Sequence, residues 1–177
     1  DFIHVDDCVA VNLWPLQFRN PSLVPSMMNA LASTGLAPGR LELEVTENAL
    51  LAAENRNKAI LDSLRELGVK VSMDDFGTGY SSLSYLLRYP FSKVKIDKSF
   101  VSELDHSKAA KAIVQAVVGL ATQLSMSVVA EGVETPLQRQ MLEDLGCSHL
   151  QGYLISRPVS ASAISAMVIS EAALLPA

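Results

Sequence analysis

The chain has 177 residues, of which 49% are hydrophobic, so it is large enough to bury the core of one ordinary domain. Its 14 Lys and Arg residues against 19 Asp and Glu residues give a formal net charge of -5, which argues against a broad nucleic-acid-binding surface. An anionic ligand would therefore need something other than net charge to hold it, and a metal ion is the obvious candidate.

Short apolar runs alternate with helical patterns along the chain, which predicts repeated βα units and a parallel sheet. The predicted strands are Val9–Leu13, Leu41–Thr46, Val69–Asp74, Val94–Asp97, Ser127–Glu131 and His149–Gln151. The predicted helices are Ser22–Ser33, Glu54–Leu67, Ser82–Arg88, Lys108–Leu124, Pro136–Leu145 and a last one after Val159. Gly68 and Gly146 follow two of these helices at plausible C-cap positions. No linker separates the units, so residues 1–177 are interpreted as a single domain.

Cysteine usage and hydropathy suggest the compartment. Cys8 and Cys147 have neither metal-type spacing nor the density of a disulfide framework, which favours a reduced, cytosolic setting. No apolar run is long enough to span a membrane, and no signal peptide is visible. We therefore expect a cytoplasmic domain, which a longer, membrane-anchored protein could still contain.

Polar side chains gather at the C-terminal end of every predicted strand. In chain order these residues are Asn12, Glu44, Asp74, Lys95 with Asp97, Glu131 and Gln151. Parallel βα proteins build their sites at this end, in barrels and in open sheets alike. Several oxygen donors that converge with one lysine suit hard divalent cations such as Mg²⁺ or Mn²⁺, so the sequence predicts a metal site.

Each of these residues has a simpler interpretation when it is taken alone. Asn12 could form a turn, Glu44 could pair with a neighbouring helix, and Lys95 could be a solvated charge. Glu134 could be a first-turn acid that a helix dipole favours. The prediction of a metal site therefore depends on the whole set.

The stretch "DDFGTGYSSL" places two carboxylates, Asp74 and Asp75, side by side. Adjacent strand residues face opposite ways, so both acids can serve one site only where the strand ends and turns. Two carboxylates so close would normally raise one pKa, and divalent cations would remove that conflict. Gly77 and Gly79 allow the following loop to adopt turns that other residues resist.

Six stretches together resemble the motifs of the EAL-domain family, in the family's order. They are "VNLWPLQF", "ELEVTE", "DDFGTGYSSL", "VKIDKSFV", "VVAEGVET" and "LQGYLISRPV", and the resemblance runs from about Val9 to Val159. It implies an α/β fold of the TIM type, a (β/α)₈ barrel whose first strand runs antiparallel. It also implies a phosphodiesterase that hydrolyses cyclic di-GMP to linear pGpG with Mg²⁺ or Mn²⁺.

The same resemblance assigns roles to individual residues. Asn12, Glu44 and Asp74 match the ligands of one metal ion, and Asp74, Asp75 and Glu131 match those of a second. Lys95 matches the lysine that holds the attacking water, Asp97 the acid beside it, and Glu131 the general base. Gln151 matches a residue that completes the site, while Glu47 and Glu134 resemble supporting glutamates, Glu47 by anchoring the loop after Asp75.

The chain departs from the family pattern at two places. The Glu-Ala-Leu tripeptide, whose glutamate is a metal ligand upstream of Val9, is absent, so we expect the first two barrel strands to be missing and the chain by itself to be inactive. Trp14 stands where the family usually has a small serine, and Leu16 where arginine is common. Trp14 could either crowd a guanine or stack on it.

Two alternatives to an EAL phosphodiesterase stay open at this point. A receptor or regulatory EAL module would bind cyclic di-GMP without hydrolysing it, and an unrelated metal-dependent barrel enzyme would share only the fold. Degenerate EAL receptors tend to lose the paired acids or the lysine, and this chain keeps both. The expected partners are cyclic di-GMP, a second copy in a homodimer, and an upstream sensory or GGDEF domain, but no nucleic-acid polymer.

Overall fold

The computed structural model describes residues 8–51, 54–77 and 82–172, in which six β-strands form one sheet. They are β1 (Val9–Asn12), β2 (Leu41–Thr46), β3 (Lys70–Phe76), β4 (Lys93–Ile96), β5 (Ser127–Ala130) and β6 (His149–Leu150). Each strand is parallel to its neighbours, in chain order from β1 to β6. The sheet forms a half barrel with helices outside it, which confirms the predicted α/β fold of the TIM type.

Helices alternate with the strands within the described ranges. They are α1 (Leu23–Thr34), α2 (Glu47–Leu51), α3 (Glu54–Glu66), α4 (Ser82–Arg88), α5 (Lys98–Ser102), α6 (Lys108–Gln123), α7 (Pro136–Asp144) and α8 (Ala161–Ala172). The sequence does not predict α2 or α5, because five residues are too few for a helical period to show. None of the described helices combines the length and the apolar character needed to cross a membrane.

The alternating pattern of β2 shows how the sheet separates its two faces. Leu43 and Val45 are fully buried in the apolar core between the sheet and the helices. Glu42 and Glu44 lie on the opposite, concave face, because successive side chains of a strand point to opposite sides. β3 and β4 follow the same rule, so the concave face of the half barrel carries a concentration of charged groups.

The strand boundaries differ from the prediction by one or two residues. β3 starts one residue later than predicted and continues to Phe76, whereas the other strands except β2 end one residue earlier. Asp97, Glu131 and Gln151 therefore lie just past their strands, where the chain already turns toward the next element. The predicted C-cap glycines are confirmed, since Gly68 and Gly146 have φ values of 90° and 88°. Gly79 lies outside the described residues.

Candidate active site

The side chain of Lys95 lies at the centre of the site, at the C-terminal end of the strands. It is only 4% exposed. Its Nζ atom lies 2.7 Å from Glu131 Oε1, 2.8 Å from Glu44 Oε1 and 3.0 Å from Asp74 Oδ1. Carboxylates from β2, from β3 and from the residue after β5 thus converge on one ammonium group, as the sequence pattern predicts. Lys95 and these three acids form the Lys95 cluster.

The surroundings of Lys95 keep it charged. Burial disfavours the ammonium form, but the carboxylates of Glu131, Glu44 and Asp74 outweigh burial and raise the pKa of Lys95 above the ordinary lysine range. Lys95 is therefore a fixed positive charge at neutral pH. It cannot serve as a general base in this state, and its role must be electrostatic or positional.

A bulge near the end of β3 places Asp74 and Asp75 at one site. The register of β3 against β4 shifts between Met73 and Phe76, and Asp75 has a φ of 53°, in the left-handed region. This turn overrides the strand alternation that would point the two acids apart. Carboxylate oxygens of Asp74, Asp75 and Glu131 consequently lie within 4.8 Å of one another.

The crowded acids carry perturbed pKa values. Burial, followed by the charges of Asp74 and Asp97, raises the pKa of Asp75 against the opposing effect of nearby lysines. Burial also raises the pKa of Glu131, and this effect outweighs the contact with Lys95. The single lysine therefore leaves part of the negative charge uncompensated, which is the condition that a bound cation would relieve.

The residues present fit a hard divalent cation. Asp74 Oδ1 is buried, and no donor in the described residues is well aligned for a hydrogen bond to it, so that its compensation comes from the Lys95 ammonium 3.0 Å away. A buried carboxylate oxygen without a hydrogen bond is costly unless something else satisfies it. The donor set consists of oxygen atoms only, which Mg²⁺, Mn²⁺ and Ca²⁺ prefer.

The other predicted ligand and acid lie beside this cluster. Asn12, the last residue of β1, is exposed and is the register partner of Glu44 on β2. Asp97 begins α5 as its N-cap, and its Oδ1 accepts hydrogen bonds from the backbone amide and the hydroxyl of Ser99. Asp97 also contributes to the raised pKa of Asp75, which places its charge near the cluster.

The three predicted supporting residues occupy different environments. Glu47 is buried at the first position of α2. Glu134 is exposed, and its backbone amide donates to Gln138 Oε1 in the capping box of α7. Gln151 is exposed just after β6, and its backbone bonds to Ala130 and Val133. The described hydrogen bonds of Glu134 and Gln151 thus come from their backbones and tie neighbouring loops together.

Sequence reasoning missed two features near the site. Lys93 and Glu42 form a second ion pair on the concave face, although their positions two residues before Lys95 and Glu44 would have indicated it. The Arg157 guanidinium stacks 4.4 Å over the ring of Tyr153, beside a cleft that Gln151 also lines. The second contact has no signal in the strand pattern, because it lies in the turn after β6.

The fold and the site together define a parallel βα-barrel protein with an acidic centre suited to divalent cations. The chain belongs to the EAL domain family, whose model matches residues 3–158.

Individual relatives agree with this assignment. The bifunctional diguanylate cyclase/cyclic di-GMP phosphodiesterase MucR of Pseudomonas aeruginosa is 48% identical over 165 residues, which are 93% of this chain and 24% of MucR. The solved PaMucR phosphodiesterase in complex with c-di-GMP has a TM-score of 0.85 and 48% identity, over 91% of this chain and 65% of that one. A manganese/c-di-GMP complex of Klebsiella pneumoniae BlrP1 has a TM-score of 0.82 and 37% identity, over 87% of this chain and 40% of that one. The chain thus spans about a quarter of the length of MucR.

Proposed function

We propose that this domain hydrolyses cyclic di-GMP to linear pGpG with the help of divalent cations. The observation that carries the proposal is the buried Lys95 ammonium, which three carboxylates surround at the C-terminal ends of the strands. The names of MucR and of the BlrP1 complex support the substrate class and the use of a divalent metal, because both proteins are similar to this chain over most of its length.

The proposed metal ligands follow the distribution of oxygen donors. Asn12, Glu44 and Asp74 would hold one Mg²⁺ or Mn²⁺ ion, and Asp74, Asp75 and Glu131 would hold a second. Such ions, when bound, supply a more acidic water and stabilise charge on the phosphoryl oxygens. The crowding of Asp74, Asp75 and Glu131 within 4.8 Å supports a site of this kind.

The protein side chains have distinct parts in the proposed reaction. The Lys95 ammonium, which the carboxylates of Glu44, Asp74 and Glu131 surround, can orient the attacking water and stabilise the negative charge that grows in the transition state. Glu131, whose carboxylate lies 2.7 Å from the Lys95 ammonium, is placed to accept the proton of that water. Asp97 lies next along the chain after β4 and is held by its bonds to Ser99.

A second candidate is a module that binds cyclic di-GMP without hydrolysing it. Trp14 is 69% exposed, two residues beyond Asn12, and Leu16 is also exposed. These large apolar groups replace small or cationic residues that are typical of the family, and an exposed indole ring can hold a guanine by stacking. The two candidates differ in whether the bound nucleotide is converted.

The proposal extends to the setting of the domain. Because the curated relative MucR is bifunctional and much longer than this chain, we propose that a sensory or GGDEF domain accompanies this one. We also propose a homodimer and a cytoplasmic location. Light scattering after size-exclusion chromatography tests the homodimer, and the mass of a monomer would contradict it.

Turnover of cyclic di-GMP tests the function directly. The complete domain, with the two upstream strands that the family resemblance implies, is incubated with the nucleotide and Mg²⁺ or Mn²⁺, and pGpG is quantified by chromatography while binding is measured separately. We expect hydrolysis that Asp74→Asn reduces on the order of 100-fold or more, since that carboxylate is central to the charge distribution. Asp62→Asn is the matched control, because Asp62 pairs only with Lys58 at the surface in the described structure. Tight binding without any pGpG would support the receptor instead.

A further inference from the structure

A second ion pair lies on the concave face, one step below the Lys95 cluster. Lys93 Nζ lies 2.5 Å from Glu42 Oε2, and the Glu42 side chain is only 2% exposed while that of Lys93 is 19% exposed. Lys93 and Lys95 are two residues apart on β4, and Glu42 and Glu44 are two residues apart on β2. The lower pair therefore repeats the Lys95–Glu44 pair toward the N-terminal ends of the strands.

The strand register shows that Lys93 has a choice of partner. Glu44 is the register partner of Ser72, and Ser72 is the register partner of Lys93, so these three residues form one row across β2, β3 and β4. Two interstrand spacings separate the ends of the row by about 10 Å, which the side chains of lysine and glutamate can bridge over a small serine. Lys93 nevertheless pairs with Glu42, which lies two residues before Glu44 on β2 and therefore outside this row.

This choice matters for the acids above. If Lys93 turned to Glu44, that carboxylate would have two ammonium groups, because Lys95 already lies 2.8 Å away. A carboxylate that two cations neutralise is a poor ligand for a third, since the attraction between close charges falls when one partner is already paired. Glu42 therefore removes a competing cation from the site.

We propose that Glu42 is a positioning residue that holds Lys93 away from Glu44 and so keeps the site negative enough to bind a divalent cation. The proposal rests on the metal site of the proposed function. This role differs from that of an ion pair that only stabilises the sheet. Loss of either Glu42 or Lys93 would break a stabilising pair, whereas only loss of Glu42 would free the Lys93 ammonium to reach Glu44. The two roles predict different results for the two single variants.

Mn²⁺ affinity separates these roles without any measurement of activity. Calorimetry on the purified protein should show that Glu42→Gln weakens Mn²⁺ binding about 10-fold, the lower end of the effect of lost partners around metal ligands. Lys93→Met should not weaken binding, because it removes the competitor itself. The double variant Glu42→Gln/Lys93→Met should recover the affinity to within about twofold of the wild type, since the two changes act on one interaction.

Controls keep the result interpretable. Glu143→Gln makes the same change in an exposed pair with Arg139 and should leave Mn²⁺ binding unaltered. Thermal unfolding followed by circular dichroism checks that each variant is folded, and the double variant provides the test if Glu42→Gln alone unfolds.

The outcomes distinguish this inference from the proposed function. If the wild type binds Mn²⁺ and Asp74→Asn abolishes binding, but Glu42→Gln stays within twofold of the wild type, the inference is wrong and the metal site stands. A double variant as weak as, or weaker than, Glu42→Gln would likewise overturn it in favour of an ion pair that only stabilises the sheet. A wild type without measurable Mn²⁺ binding overturns both.

Discussion

The Lys95 ammonium contacts carboxylates that come from β2, from β3 and from the residue after β5. Because these groups hold its charge in place before any substrate arrives, little reorganisation is needed when negative charge develops on a phosphoryl group. The same contacts explain why the site tolerates a buried lysine, since an unpaired buried charge would be expensive.

Replacement of Lys95 should lower turnover more than binding. For Lys95→Ala we expect kcat and kcat/KM to fall together, on the order of 100-fold or more, as for other preorganised electrostatic groups. Steady-state kinetics and separate measurement of cyclic di-GMP affinity check this, with Lys58→Ala at the surface as control. If affinity collapses while turnover at saturation persists, Lys95 binds phosphate and the role proposed here is wrong.

Asp97 caps α5, and two substitutions can separate this structural role from the chemical role proposed for it. Asp97→Ala should lower the free energy of unfolding by about 1 kcal/mol through loss of the α5 cap, whereas Asp97→Asn should keep the cap. If the charge of Asp97 serves the reaction, Asp97→Asn should still lower kcat about 10-fold or more.

Chemical denaturation and kinetics on both Asp97 variants provide the check. Ser107 caps α6 by accepting a hydrogen bond from the Ala110 amide, and Ser107→Ala should reduce stability without reducing kcat. If Asp97→Asn has the turnover of the wild type, the charge of Asp97 does not serve the reaction and the residue only caps α5.

At the element scale, the turn after β6 packs directly on the loop after β5. Val133 donates its amide hydrogen to Gln151 O at 3.0 Å, and Leu154 donates to Val133 O at 2.9 Å. A Cβ atom on Gly152 would collide with the backbone N and O of Val133. Glycine is therefore required there by close approach of two backbones, and the same contact sets the position of Gln151.

Gly152→Ala should accordingly be costly. We expect the free energy of unfolding to fall by about 1–3 kcal/mol, the usual cost of overpacking, because backbone atoms cannot move aside as a side chain does. Urea denaturation measures the change. Gly119→Ala in α6 is the matched control, because nothing lies within 4 Å of its Cβ position and alanine favours a helix, so it should be neutral or stabilising. Equal stability of the two variants would contradict the packing argument.

At the scale of the whole molecule, the concave face concentrates like charges that a bound cation would compensate. Mn²⁺ at about 100 times its Kd should stabilise the fold by about 2.7 kcal/mol, provided that it binds only the native state. For a chain of this size that corresponds to a rise in Tm of roughly 5–10 °C. The rise should disappear in Asp74→Asn, or on addition of a chelator, and should persist in Asp62→Asn.

Differential scanning calorimetry at matched ionic strength measures this effect. A similar rise in Tm for wild type and Asp74→Asn would show that Mn²⁺ acts elsewhere on the chain. The comparison also links the site to the fold, since β2, β3 and the loop after β5 all contribute to the same group of acids.

Much of the architecture follows from local patterns in the sequence. Alternation in "LELEVT" assigns Leu43 and Val45 to the core and Glu44 to the concave face, and all six strands were located to within two residues. The placement of polar residues at strand ends predicted the Lys95 cluster, because parallel strands bring those ends to one edge. The two short helices, α2 and α5, were not predicted, because five residues are too few to show a helical periodicity.

The tertiary structure decided which of these polar residues meet and in what state. Asp75 joins Asp74 at a register shift in the pairing of β3 with β4, where Asp75 has a positive φ, whereas strand alternation alone would separate the two acids. The burial and raised pKa of Lys95 depend on carboxylates that are 51, 21 and 36 residues away along the chain, at positions 44, 74 and 131. Sequence pattern determines the face on which a side chain lies, but the exclusion of water and the choice between charged partners, such as Glu42 over Glu44 for Lys93, arise only when distant strands pack together.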